Sequence, residues 1–216
     1  MSKIRWIAGA AFLGLIVSGC VSPYHQAKLP TWKLNPQLPS DSPVVVYVKD
    51  ERPSVEIEKE RTTEYLYSGS LFAVDGNTRT IAQAISGLVL RYGGASSCLP
   101  TNAIPKQGLA ISFTLQHWYA KTLIWPEKGP LFVTGSFDGS LELVRNGSFL
   151  ASTPIHADGT TSVVDMTIIF EREKKQTPKL IWDAMLNTAN SAEQAGYLEI
   201  MNSLEKNWHM FSKPKQ

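Results

Sequence analysis

Between Leu109 and Ile155 apolar residues recur at every second position, and that period dictates strands with one dry face and one wet one. In the first run Leu109, Ile111, Phe113, Leu115, His117 and Tyr119 alternate with Ala110, Ser112, Thr114, Gln116 and Trp118. In the second, Leu131, Val133, Phe137, Leu141 and Leu143 share a face with Gly135 and Gly139, opposite Thr134, Ser136, Asp138, Ser140 and Glu142. Asn146-Gly147 is a strong hairpin signal, because both residues tolerate the positive φ of a type I′ turn. A third strand is expected from Phe149 to Ile155, with Pro154 marking an edge or a bulge.

The segments on either side supply what this meander must pack against. "PVVVYVKDERP" reads as a strand with Val44, Val46 and Val48 on one side and Val45 and Tyr47 on the other. After Asn77 or Thr78 as cap, Ile81, Ala84, Ile85, Leu88, Val89 and Tyr92 form one helical face, stopped by Gly93-Gly94. Residues 51–61 read as a charged solvated loop, 62–74 as a short irregular hairpin, and 163–170 as either strand or short helix. Thr177-Pro178 opens a helical stretch with Ile181 and Met185. Ser191-Ala192-Glu193-Gln194 has capping-box form and predicts a second start, with Tyr197, Leu198, Met201, Leu204 and Trp208 following. The expected class is α+β: an antiparallel sheet with helices packed on one face, a two-layer sandwich.

The N-terminus follows another logic. Lys3 and Arg5 precede twelve apolar residues, Trp6–Val17, which as a helix span roughly 18 Å against a hydrocarbon core of about 30 Å. An export signal fits better than a permanent span. Val17-Ser18-Gly19-Cys20 resembles the bacterial lipobox, in which the cysteine is acylated and begins the mature chain, with palmitate-type chains as its anchor. Residues 1–19 are thus expected to be a lipoprotein signal peptide, and 20–42 the lipidated N-terminus with a tether. The tether holds Pro23, Pro30, Pro36 and Pro39 and no sustained apolar periodicity. Residues 43–216 are expected to form a single α+β domain facing the periplasm. In a Gram-negative host, Val21 after the cysteine, in place of Asp, points to the outer membrane.

Loss of residues 1–19 removes two of the 21 basic residues and none of the 19 acidic ones, so the mature chain is neutral. A neutral chain argues against nucleic acid as a partner. With Cys20 acylated, only Cys98 remains, in a segment read as a loop, and no intramolecular disulfide can form. His25, His117, His156 and His209 are scattered without metal-ligand spacing, and no catalytic motif is present, so no metal, cofactor or catalytic residue is assigned. The candidate partner contacts are Asp50 and Arg52, at the end of the valine strand, and Trp118 and Trp125, whose ring area suits an interface beside a Pro- and Gly-containing turn.

Val17–Cys20, the tether, "VVVYVKDERP", the helix and the meander together resemble small Gram-negative envelope lipoproteins of the YajG type and ABC-transport auxiliary lipoproteins, over about residues 17–160. The stretch from Ser162 to Lys179 lies outside that plan. The resemblance implies a non-enzymatic domain, an adaptor or accessory subunit that binds another envelope component, as in a transport or secretion machine. Membrane lipid, through Cys20, would be its other partner. The alternative is a protein that binds lipid or another small hydrophobe and relays it, which requires an apolar groove between helix and sheet.

Overall fold

The computed structural model describes residues 43–56, 71–73, 78–93, 95–124, 130–164 and 177–212. In order, these form β1 (Pro43–Asp50), a 3-10 turn (Ser54–Glu56), β2 (Leu71–Ala73), α1 (Thr78–Tyr92), β3 (Ser97–Thr101) and β4 (Leu109–Ile124). There follow β5 (Leu131–Arg145), β6 (Ser148–Asp158), β7 (Ser162–Val164), α2 (Thr177–Asn207) and α3 (His209–Ser212). The signal, Cys20, the whole tether and Trp125 lie outside the described residues.

The seven strands form one sheet in the order β3-β1-β4-β5-β6, with β2 joining β4 and β7 joining β5. The meander is antiparallel, and Asn146, at φ 50°, with Gly147, at 73°, makes the expected turn. Leu150 is the extra residue where the β5–β6 register shifts, and Pro154 lies in the edge strand β6. The α+β class holds, but the sheet is mixed: β1 runs parallel to both β3 and β4. Parallel neighbours need a crossover, and α1 supplies the one between β1 and β3. The segment read as a loop around Cys98 is therefore β3, whose Pro100 is tolerated because β3 is an edge.

Both helices lie on the face that carries Val44, Val46, Val48, Ile111, Phe113, Leu141 and Leu143, in one continuous core. From α1 come Ile81, Ile85 and Val89; from α2 come Ile181, Met185, Ile200, Met201 and Leu204. Each such side chain contributes about 1.5–3 kcal/mol on burial. Gly93 ends α1 as expected, its N–H donating to Val89 O at 2.7 Å, and Trp208 packs against it.

Two further expectations are corrected. The terminal helix is continuous from Thr177 to Asn207, and Ser191 does not cap a second one. Its hydroxyl donates to Thr188 O (2.9 Å) and accepts from the Thr160 N–H (2.7 Å), so the apparent cap serves the loop after β6. In β4 the alternation breaks: Leu115 pairs with Gly139 but His117 with Asp138, leaving Gln116 as a bulge. One extra residue exchanges the two faces. His117 and Tyr119 consequently leave the core face, while Trp118, Ala120 and Thr122 occupy it.

Candidate functional site

The parallel strands β1 and β3 end side by side, and the chain turns polar there. Asp50 is the last residue of β1, and Arg52 bends back to meet it. Arg52 Nε donates to Asp50 Oδ1 at 3.0 Å, Nη2 to Oδ2 at 2.7 Å, and its backbone N–H to Oδ1 at 3.1 Å. Such a fork fixes the turn in one geometry. Burial works to raise the Asp50 carboxyl, but these hydrogen bonds and the guanidinium charge outweigh it and hold it below the ordinary carboxylate range. The Arg52 side chain is only 1% exposed, and its guanidinium carbon lies 5.8 Å from the centre of the Trp118 ring.

Just beyond, β4 has a bare stretch of edge. β1 ends opposite Leu115 and β2 ends opposite Tyr119, so among the described residues 116–118 have no strand neighbour on that side. Glu56 fills the gap. Its buried carboxylate accepts the Trp118 N–H at 3.1 Å and meets His117 Nδ1 at 2.8 Å. A side chain thus replaces a missing ladder bond at the bulge. Glu56 was not legible as a functional position, because its surroundings, "SVEIEKER", read as a solvated charge run.

On the other side of Asp50 lies a cleft of about 760 Å³. Tyr47, Lys49 and Asp50 come from β1, Thr101 and Asn102 from the end of β3, and Thr78, Arg79 and Gln83 from the first turns of α1. Leu99 forms an exposed apolar rim. The carboxyl ends of parallel strands are where open sheets offer their crevices. The lining mixes both charges with amides and hydroxyls, which suits hydrogen bonding to a polypeptide better than enclosure of an acyl chain.

The four candidate contacts fall apart on this map. Asp50 lines the cleft. Arg52 is buried behind it, and Trp118 is a core residue whose Nε1 donates to Ala189 O at 3.2 Å, so neither side chain presents a partner surface. The bulge at Gln116 is the reason Trp118 points inward. Trp125 lies outside the described residues. A separate polar cluster stands on the sheet face opposite the helices. His156 pairs with Asp138, whose other oxygen accepts from Ser136; the hydrogen bond to Asp138 and the charge of that carboxylate raise the exposed imidazole above its usual value. Cys98 is buried in β3, and burial pushes its thiol up to about 11, partly offset by the Ser86 hydroxyl. Among the described residues no group of three or more His, Cys, Asp or Glu is placed to hold a metal ion, and no helix is long and apolar enough to cross a membrane.

No family model and no curated protein matches the chain. Among solved structures it is similar to a Xanthomonas campestris protein of the DUF330 family, at 10% identity over 82% of this chain and 94% of that one, with a TM-score of 0.36. A Helicobacter pylori homolog of the neuraminyllactose-binding hemagglutinin is 15% identical over 82% and 93%, with a TM-score of 0.38. A lipoprotein from Neisseria meningitidis is 14% identical over 68% and 96%, with a TM-score of 0.31. With TM-scores below 0.5, none of them defines a function for this chain.

Proposed function

We propose that this chain is a lipid-anchored protein of a bacterial cell envelope, held at the outer membrane through Cys20, and that it acts without catalysis as an adaptor. The observation that carries the anchor is the junction Val17-Ser18-Gly19-Cys20 after a short apolar run. Support for the adaptor role comes from the cleft beside Asp50, which presents Lys49, Arg79, Gln83 and Thr101 on rigid strand ends and a helix. Its occupant would be an extended segment of another envelope protein, recognised by backbone hydrogen bonding and mixed charge. The relay of a lipid is favoured less, because large side chains such as Phe113, Phe137 and Trp208 fill the space between helices and sheet.

Two measurements test the reading. Labelled palmitate is expected in the wild-type chain and absent from Cys20→Ala; label in neither would remove the anchor. A photocrosslinking residue at Gln83 is expected to form one discrete adduct in intact cells, diminished at least tenfold by Arg79→Glu, while one at Leu90, further along α1, gives none. Adducts of equal yield at both positions would defeat the cleft as the docking site.

A further inference from the structure

The tip of the β5–β6 hairpin joins two residues that can react with each other. Asn146 is the one asparagine of the chain that a glycine follows. A glycine nitrogen, with no Cβ beside it, can come close to another group. When Gly147 N attacks the side-chain amide before it, a bond forms between that nitrogen and Asn146 Cγ. The Cγ–Nδ2 bond breaks, and Nδ2 leaves as ammonia with the proton that Gly147 N gives up. Water then opens the cyclic imide at one of its two carbonyls, giving aspartate or an isoaspartyl linkage. Water is the only reagent consumed, and nothing is oxidised or reduced.

Asn146 and Gly147 are both exposed, so water reaches them, yet the native turn holds the reaction back. Asn146 stands at φ 50°. In that left-handed region ψ is about +47°, which sets the following nitrogen nearly opposite Cβ across the Cα–C bond. Attack needs the two on the same side. The side chain is also engaged elsewhere: Asn146 Oδ1 accepts the Gly108 N–H at 2.8 Å, and the Asn146 N–H donates to Gly108 O at 2.9 Å. Gly108 is itself left-handed, at φ 92°, and a Cβ on Gly147 would lie 3.8 Å from Lys106 O. The hairpin tip is thus clamped to the segment that leads into β4.

That segment closes one end of the sheet. β3 ends level with Tyr47, and β4 begins level with Val44 on the other side of β1. Residues 102–108 therefore cross β1, with Ile104 and Pro105 half-buried. At the same end, on the sheet face away from the helices, Ala110 is 0% and Val144 1% exposed. The clamp fastens the last residue of the crossing beside them.

We propose that Asn146 is a self-modification site, locked while the native turn and its bonds to Gly108 hold, and reactive once they open. An isoaspartyl linkage runs the main chain through Cγ and adds one backbone atom. The two-residue turn cannot form again, and the carbonyl that held the Gly108 N–H has become part of the main chain. Conversion therefore unfastens the 102–108 crossing irreversibly. A chain that has opened at this tip is marked, and one that has stayed closed is not. Local opening is enough, because exposed turns open at lower free energy than the core.

The site does not depend on Cys20 or on what occupies the cleft, and the full chain tests it. Protein is held at pH 8 in native buffer and in guanidinium chloride. Conversion at position 146 is read by peptide mass and by labelling with an isoaspartyl methyltransferase. It is expected at least tenfold faster in guanidinium; equal rates overturn the lock, and no conversion in either solvent overturns the site. Gly108→Ala strains the φ of 92° without a clash, because nothing lies within 4 Å of the Cβ position. With Cys98 still unreactive, this variant is expected to convert at least threefold faster than wild type in native buffer. An unchanged rate overturns the part given to Gly108. In the isoaspartyl fraction, amides of Gly108 and Leu109 are expected to exchange hydrogen at least tenfold faster than in unconverted protein, and unchanged exchange overturns the unfastening.

Discussion

At the scale of single residues, the polar groups around Asp50 hold a turn together more than they offer chemistry. Arg52 is buried and needs a counter-charge, and Asp50 supplies it with good geometry. Removing Arg52 takes this fork from Asp50, and removing Asp50 takes a counter-charge from the buried guanidinium. Arg52→Ala is expected to cost about 2–3 kcal/mol, below the ~3–5 of a fully interior pair because Asp50 is partly exposed. The pH dependence follows from the lowered carboxyl. Its folded value lies below the ordinary 3.8, so the pair's contribution is complete above the unfolded value and is lost as pH falls through the folded one. Urea midpoints of wild type and Asp50→Asn should therefore differ at pH 7 and converge well below pH 4. A difference that persists unchanged at pH 2.5 would mean that the carboxylate charge is not what holds Arg52.

At the scale of elements, the long-period signals were readable and the local breaks were not. The meander, its Asn146-Gly147 turn and α1 each repeat one physical requirement, a dry face, over ten residues or more. Gln116 could not be recognised as a bulge, because His117 and Tyr119 continue the alternation on paper; only the register with β5 shows the slip. β3 was missed because five residues containing Pro100 carry no period, and the parallel pairing depends on what lies beside it. Ser191 imitated a cap because its hydroxyl does bond a backbone N–H, that of Thr160 and not one in its own helix.

Helix packing gives a pair of predictions of opposite sign at this scale. Gly196 in α2 faces Phe137, and a Cβ there would lie 2.2 Å from the ring, so the absent side chain is what lets α2 approach β5. Gly196→Ala is expected to destabilise by about 1–3 kcal/mol through overpacking. Gly87 in α1 is exposed, and a Cβ there would meet nothing within 4 Å. There the same substitution is expected to stabilise by about 0.5–1 kcal/mol through backbone entropy. Thermal or urea unfolding of the two variants measures both, and a loss in each would show that α1 is packed against something at Gly87.

At the scale of the whole molecule, Cys98, the one thiol among the described residues, reports whether the core is closed. Without a disulfide, stability rests on burial, and Cys98 sits between β3 and α1, where an edge strand and a helix hold the core shut. A thiol with a value near 11 in place of 9.0 has about a hundredfold less thiolate at pH 8, and burial blocks access besides. Native protein should therefore resist a thiol-reactive dye at pH 8 and label only through opening. If β3 opens on its own, the labelling rate will be insensitive to low urea; if it opens with the whole sheet, the rate will rise with a urea slope close to that of global unfolding. The second outcome is expected, because Cys98 belongs to the same continuous core as Phe113, Phe137 and Trp208, at the far side of the helix layer. Rapid labelling in native buffer would instead mean that the β3 edge is loose, and with it the wall of the cleft that Thr101 and Asn102 supply.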